Sequence, residues 1–385
     1  MADRDDTQAA SWAPRHAAEL VGHEAAEQAF LQAWNTGRLA HAWLITGPKG
    51  IGKASFAFRC ARFVLHRQAR AAAAGPSLLL PDDAPPTPES LAIDPSDPLF
   101  HRIASLGHAD LLCIEPAWDE KGKRWRTEIV AEDARRLTPF FGMTAAEGGY
   151  RVAIIDSADD LNRHAANAIL KILEEPPAKG LLFLVSHSPG ALLPTIRSRC
   201  RRLDLHPLSP DRMAALLARQ ADGAEAQDLS EADRAALAIL AAGSPGRLQA
   251  LLQNGGLALY DELLALVSAL PEMDMTALHA LGDRLGRQGA TDAFANVVDL
   301  LRGLLARQIA AAARGDAATG VRPAEAALAA RLFPPGADLA DWIGVWEKLG
   351  DLGRTTDALA LDRKHVLLSL FNSLAAAAQR VTRAA

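Results

Sequence analysis

Four apolar residues, Ala42-Trp43-Leu44-Ile45, run without a break into Thr46-Gly47-Pro48-Lys49-Gly50-Ile51-Gly52-Lys53, and Phe56, Cys60, Phe63 and Val64 follow at helical spacing. No other feature restricts the fold so far. An apolar strand that ends in a glycine-rich turn and opens a helix is the strand–P-loop–helix unit. Its glycines let backbone N–H groups wrap a phosphate, the helix N-terminus adds partial positive charge, and the lysine reaches the outer phosphates. A glycine-rich turn without function would need neither the strand before it nor the helix after it.

The chain around this unit repeats the same grammar. Strands are expected at Asp110-Leu111-Leu112-Cys113-Ile114-Glu115, at Tyr150-Arg151-Val152-Ala153-Ile154-Ile155-Asp156 and at Leu181-Leu182-Phe183-Leu184-Val185-Ser186. A helix from Leu161 to Leu173 carries Leu161, Ala165, Ile169 and Ile172 on one stripe and stops before Pro176-Pro177. Near-continuous apolar strands alternating with helices imply a parallel sheet covered on both faces. A helical segment, His16 to Thr36, precedes the first strand. Between Ala69 and Pro98 seven prolines break every period, which reads as an inserted flexible loop.

Beyond Leu208 the strands stop. Small helices, interrupted at Gly243-Ser244-Pro245-Gly246, reach about Gln253, and Leu- and Ala-rich helices continue to the end. The expected architecture is an α/β P-loop core with a RecA-like parallel sheet over 1–207, a small helical lid over 208–255, and an all-α domain over 256–385.

Composition narrows the function. A net charge of -5 excludes a polybasic chain that coats DNA by electrostatics alone. Cys60, Cys113 and Cys200 lie far apart, so no zinc site and no disulfide framework is expected, and Cys60 and Cys113 read as small buried hydrophobes. The acidic start of the chain is no signal peptide, and no run approaches the ~20 apolar residues of a membrane span. A cytoplasmic protein is expected.

The site is incomplete. Position 54, where a Ser or Thr hydroxyl would hold Mg²⁺, is Ala54, and Ser55 lies about 100° further round the helix. Asp156 ends its strand as a candidate metal ligand opposite the P-loop, but Ser157 stands where a Glu would polarise the attacking water. Asp159 and Asp160 belong to the next turn. Such a site keeps a phosphate cradle of Gly47, Gly50, Gly52 and Lys53 while losing hydrolysis. Arg199, in Ser198-Arg199-Cys200, reads either as a surface ion-pair partner or as a finger for a neighbour's γ-phosphate, worth roughly 10³–10⁵ in rate. Arg247 opens a helix, either as an ordinary exposed residue or as a reporter of nucleotide state. Lys121, Lys123, Arg124 and Arg126, with Trp118 and Trp125, could meet nucleic acid; balanced by Asp119, Glu120 and Glu128, they read as a solvated hairpin or loop.

Three segments in this order carry a family resemblance: His41 to Lys53, Asn167-Ala168-Ile169-Leu170-Lys171-Ile172-Leu173-Glu174-Glu175-Pro176-Pro177, and Thr195-Ile196-Arg197-Ser198-Arg199-Cys200. The chain resembles the delta-prime family of bacterial DNA polymerase III clamp-loader subunits, which are AAA+ proteins. The likeness is clear over about 14–250; the remainder fits by length and helicity. It implies an AAA+ core, a lid and a C-terminal collar in a hetero-oligomeric ring with gamma/tau and delta subunits, loading the sliding clamp onto primer-template DNA. Arg199 would then be the finger offered to an adjacent motor subunit, Ser186 the sensor-1 residue and Arg247 the sensor-2 residue. The degenerate P-loop would hold ATP or ADP weakly or structurally, or hold none. Many relatives carry a four-cysteine zinc module after the P-loop helix; here that stretch is the Pro-rich insert. Two alternatives stay open, an active gamma/tau-like motor and a stand-alone nucleotide-binding regulator.

Overall fold

The computed structural model describes residues 13–74, 87–119, 124–220, 229–287, 291–316, 320–334, 338–358 and 361–384. They divide into two compact units, one of 1–212 with 244–246 and one of 213–243 with 247–385.

The first unit opens with a short 3₁₀ turn at Pro14–His16, and helix α1 (Glu24–Asn35) follows. Regular helix therefore begins only at Glu24, later than the expected start at His16, because Gly22 takes a positive φ of 90° just before it. Strand β1 (Ala42–Thr46) is wholly buried and leads into helix α2 (Lys53–Ala74). Six residues assigned to the inserted loop, 69–74, thus continue the helix; 75–86 lie outside the described residues. The insert also ends in helix. Asp97 accepts from the Leu99 amide and caps α3 (Pro98–Ala104), with Pro98 at the first helical position where its missing N–H costs nothing.

Strand β2 (Leu111–Ile114) comes next, then a two-stranded antiparallel hairpin, β3 (Trp118–Asp119) and β4 (Arg124–Trp125), where a charged hairpin or loop was expected. Its Lys121 and Lys123 lie outside the described residues. Short helices α4 (Ala131–Arg135) and α5 (Leu137–Gly142) lead to β5 (Arg151–Asp156). The Asn162 side chain then caps α6 (Arg163–Glu174), which buries Ala165, Ile169 and Ile172. Strand β6 (Gly180–Ser186), the one-turn α7 (Pro194–Arg197) and β7 (Arg201–Asp204) complete the layer. Strand β7 was not anticipated. It reads Arg-Arg-Leu-Asp, and only Leu203 of it is buried, so it has no apolar run.

The five-stranded sheet has the order β2-β5-β6-β1-β7, and every pair is parallel. Two hydrophobic layers cover it. One gathers Phe30, Trp43, Phe56, Phe63 and Phe183; the other gathers Leu44, Ile155, Ile169, Leu184 and Ile196. Each such fully buried side chain contributes about 1.5–3 kcal/mol, so the residue-by-residue alternation of Trp43 and Leu44 along β1 holds α1 and α2 to one face and α6 to the other.

Helix α8 (Pro210–Gln220) straddles the boundary between the units, and α9 (Glu231–Leu240) lies within the second. Helix α10 (Pro245–Gln253) begins in the first unit and continues in the second. Apart from those two helix starts, the helices from α8 onward fall in this one unit. It continues with α11 (Gly256–Ala269), α12 (Met275–Leu285), α13 (Thr291–Arg314), α14 (Ala324–Leu332), α15 (Ala340–Ala358) and α16 (Arg363–Ala384). Helix α13 packs on α15, and α16 packs on both α12 and α15. A fully buried carboxylate, Glu325, organises one junction: it accepts from Tyr260 Oη at 2.6 Å, the Val321 amide at 2.7 Å and Gln308 Nε2 at 3.2 Å.

Candidate functional site: a phosphate loop at the carboxyl edge of the sheet

Register brings the site together. Thr46 pairs with Ser186 across β1 and β6, and Asp156 pairs with Val185 across β5 and β6. The three parallel strands end side by side, at the edge where open α/β sheets bind ligands. The loop after β1, Asp156 after β5 and Ser186 at the end of β6 therefore share one neighbourhood.

The loop's glycines are all in positive φ: 142° at Gly47, 78° at Gly50 and 100° at Gly52. At Gly47 a Cβ would stand 2.4 Å from the Leu205 carbonyl oxygen and 2.6 Å from Ile51 Cδ1. Only glycine fits there. The loop is also tied from outside. His23 Nε2 lies 2.7 Å from the Ile51 carbonyl, so that nitrogen carries the proton. Ser244 Oγ donates to the Lys49 carbonyl at 3.1 Å, and the Gly246 amide donates to the Gly50 carbonyl at 2.9 Å. None of these three residues was read from the sequence as part of the site, and Ser244 and Gly246 stood there only as a break between helices; the sequence separation, 195 residues for Ser244 and Lys49, hides the contact.

Lys53 is 3% exposed. Its ammonium donates to the carbonyls of Gly47 at 2.8 Å and Pro48 at 2.6 Å. Burial lowers its pKa to about 8, against the pull of Asp156 and Asp159. Asp156 moves the other way: burial, with Glu115 and Asp160 as like charges, raises its carboxyl to about 6, and Lys53 opposes the shift. The pair is thus a cation and an anion held where each would rather be neutral. Ala54 presents a buried methyl at the first turn of α2. The loop has the shape and the lysine of a phosphate cradle, while the place of the metal's hydroxyl ligand is apolar. Among the described residues no group of three or more His, Cys, Asp or Glu could hold a metal ion.

Past Asp156 the chain closes on itself. Ser157 Oγ donates to Asp160 Oδ2 at 2.9 Å. Asp159 accepts from Ser186 Oγ at 2.9 Å, from the His187 amide at 2.5 Å and from the Ser188 amide at 3.1 Å. The Ser186 hydroxyl is fully buried and already engaged. Asp159 therefore cross-links the turns after β5 and β6, a role that its position in the sequence did not reveal.

Two predicted residues lie elsewhere. Arg199 follows α7, bonded through Nη1 to the Thr195 carbonyl at 3.1 Å and paired through Nη2 with Glu174 Oε1 at 3.0 Å. Arg247 belongs to the second unit, where its guanidinium donates to the Asp299 carbonyl at 3.2 Å and burial lowers its pKa. The site thus unites Gly47, Gly50, Gly52, Lys53, Ala54, Asp156 and Ser186.

Residues 96–209, from α3 to the end of the sheet, match the family described as DNA polymerase III, delta subunit. The DNA polymerase III subunit delta' of Pseudomonas aeruginosa is 36% identical over 219 residues, 56% of this chain and 57% of that protein. The chain is similar to bacterial DNA polymerase III clamp-loader subunits, delta' among them. The resemblance read from its motifs is borne out. Subunit delta' of Escherichia coli is 34% identical over 174 residues, 45% of this chain and 48% of that protein. The similarity extends to the tau subunit of Escherichia coli, 30% identical over 352 residues, 85% of this chain and 49% of that protein. The chain spans about half the length of the curated relatives it matches. No helix among the described residues is long and apolar enough to cross a membrane.

Proposed function

We propose that this chain is the delta-prime, or stator, subunit of a bacterial clamp loader: a hetero-oligomer with gamma/tau and delta subunits that loads the sliding clamp onto primer-template DNA. In this reading it does not turn over ATP. The observation that carries it is the buried methyl of Ala54 beside a strand-end Asp156 followed by Ser157, in a loop whose lysine is engaged by its own carbonyls. Phosphates fit the loop's glycines, but Mg²⁺ would lack its hydroxyl ligand and water its polarising Glu. ATP or ADP bound there would be a structural ligand. Arg199, half-buried beyond β6, serves the active site of a neighbouring motor subunit.

A gamma/tau-like motor is the second reading, favoured by the longer match to tau. Ala54 and Ser157 oppose it. The purified chain distinguishes the two: no Mg²⁺-dependent ATP turnover is expected, and steady turnover abolished by Lys53→Ala would establish the motor. In the reconstituted loader, Lys53→Ala is expected to leave clamp loading nearly intact, whereas Arg199→Ala depresses ATPase without preventing assembly.

A further inference from the structure

The ion pair between Arg199 and Glu174 joins two of the three segments that carry the family resemblance, and it constrains how the arginine works. Glu174 is the last residue of α6, where the helix dipole leaves its negative end and a carboxylate is disfavoured. Glu175 follows, adding a second negative charge. The carboxylate of Glu174 pairs with the Arg199 guanidinium at 3.0 Å. The arginine's other arm is also engaged, donating to the Thr195 carbonyl at 3.1 Å. Its backbone is fixed: the Arg199 amide donates to the Ile196 carbonyl at 3.1 Å, and Ile196 is fully buried in the layer that contains Ile169, Ile172 and Leu173. Only the side chain can swing.

We propose that Glu174 is a latch for Arg199, holding the guanidinium on its own subunit until the phosphates of a neighbouring subunit's nucleotide displace the carboxylate. This rests on the reading of Arg199 as a finger. The geometry suits a weak latch. The two side chains are 35% and 51% exposed, so solvent screens their attraction and the pair opens readily. A polyphosphate carries more charge than one carboxylate and accepts an arginine fork at two oxygens, so it outcompetes Glu174 once it is within reach. Until then the arginine is kept off other anions. Glu174 is a positioning residue in this scheme; it never meets the nucleotide.

The test is ATP hydrolysis by the reconstituted complex with gamma/tau and delta subunits. Glu174→Gln keeps the shape and removes the charge. Loss of an exposed pair is expected to raise the rate roughly 1.5- to 5-fold, and the ratio of variant to wild type should shrink toward one as salt is raised. In an Arg199→Ala background, Glu174→Gln should have no effect, a result that general damage to α6 would not produce. An unchanged or reduced rate for Glu174→Gln, with Arg199→Ala still depressing hydrolysis, overturns the latch and leaves the finger standing. If Arg199→Ala itself leaves hydrolysis unchanged, the finger is overturned and the latch with it.

Discussion

Replacing Asp156 by Asn should make the isolated chain more stable at neutral pH. The carboxyl sits at about 6 in the fold against an ordinary 3.8, a difference of 2.2 units caused first by burial and then by Glu115. At 1.36 kcal/mol per unit, keeping it ionised costs the folded chain about 3 kcal/mol. Below about pH 4 the group is neutral in both folded and unfolded chains, and the variant gains nothing. Between about 4 and 6 the unfolded chain releases its proton first, so the wild type loses stability steadily. Above 6 the full cost is present. That cost is already net of the attraction to Lys53, which opposes the shift. A gain of about 2–3 kcal/mol at pH 7.5 is therefore expected, vanishing near pH 4. Urea unfolding at the two pH values measures it, provided the slope is unchanged. A variant less stable at pH 7.5, or more stable by the same amount at both, would refute the electrostatic account.

Three further substitutions probe the framework. Gly47→Ala places a Cβ 2.4 Å from the Leu205 carbonyl in a residue at φ 142°, so a loss of about 2–4 kcal/mol is expected in urea unfolding. Asp159→Ala strips the acceptor from the buried Ser186 hydroxyl and from the amides of His187 and Ser188; about 2–3 kcal/mol should be lost, with faster hydrogen exchange at those two amides. Glu325→Ala leaves Tyr260 and Gln308 buried without their acceptor, and thermal unfolding of the second unit should reveal about 3–5 kcal/mol of damage.

Much of this protein was legible in one dimension because its signals are local. Apolar runs such as Ala42 to Ile45 and Val152 to Ile155 can be satisfied only inside a covered sheet, and glycines at 47, 50 and 52 followed by Lys53 allow one kind of turn. Ala54 and Ser157 were visible as missing groups because a motif fixes what should stand there. Strand β7 escaped notice because its stability comes from pairing with β1, with Thr46 opposite Asp204, and not from apolar side chains of its own.

What the chain could not declare by itself is where polar groups find partners. Hydrogen bonds act over a few ångströms in space, so the contacts of Ser244 and Gly246 with the P-loop, of Asp159 with the end of β6 and of Arg199 with Glu174 exist only once the sheet has set its register. The same is true of the shifts at Lys53 and Asp156. Their charges are written in the sequence, but the desolvation that moves them belongs to the folded edge of the sheet.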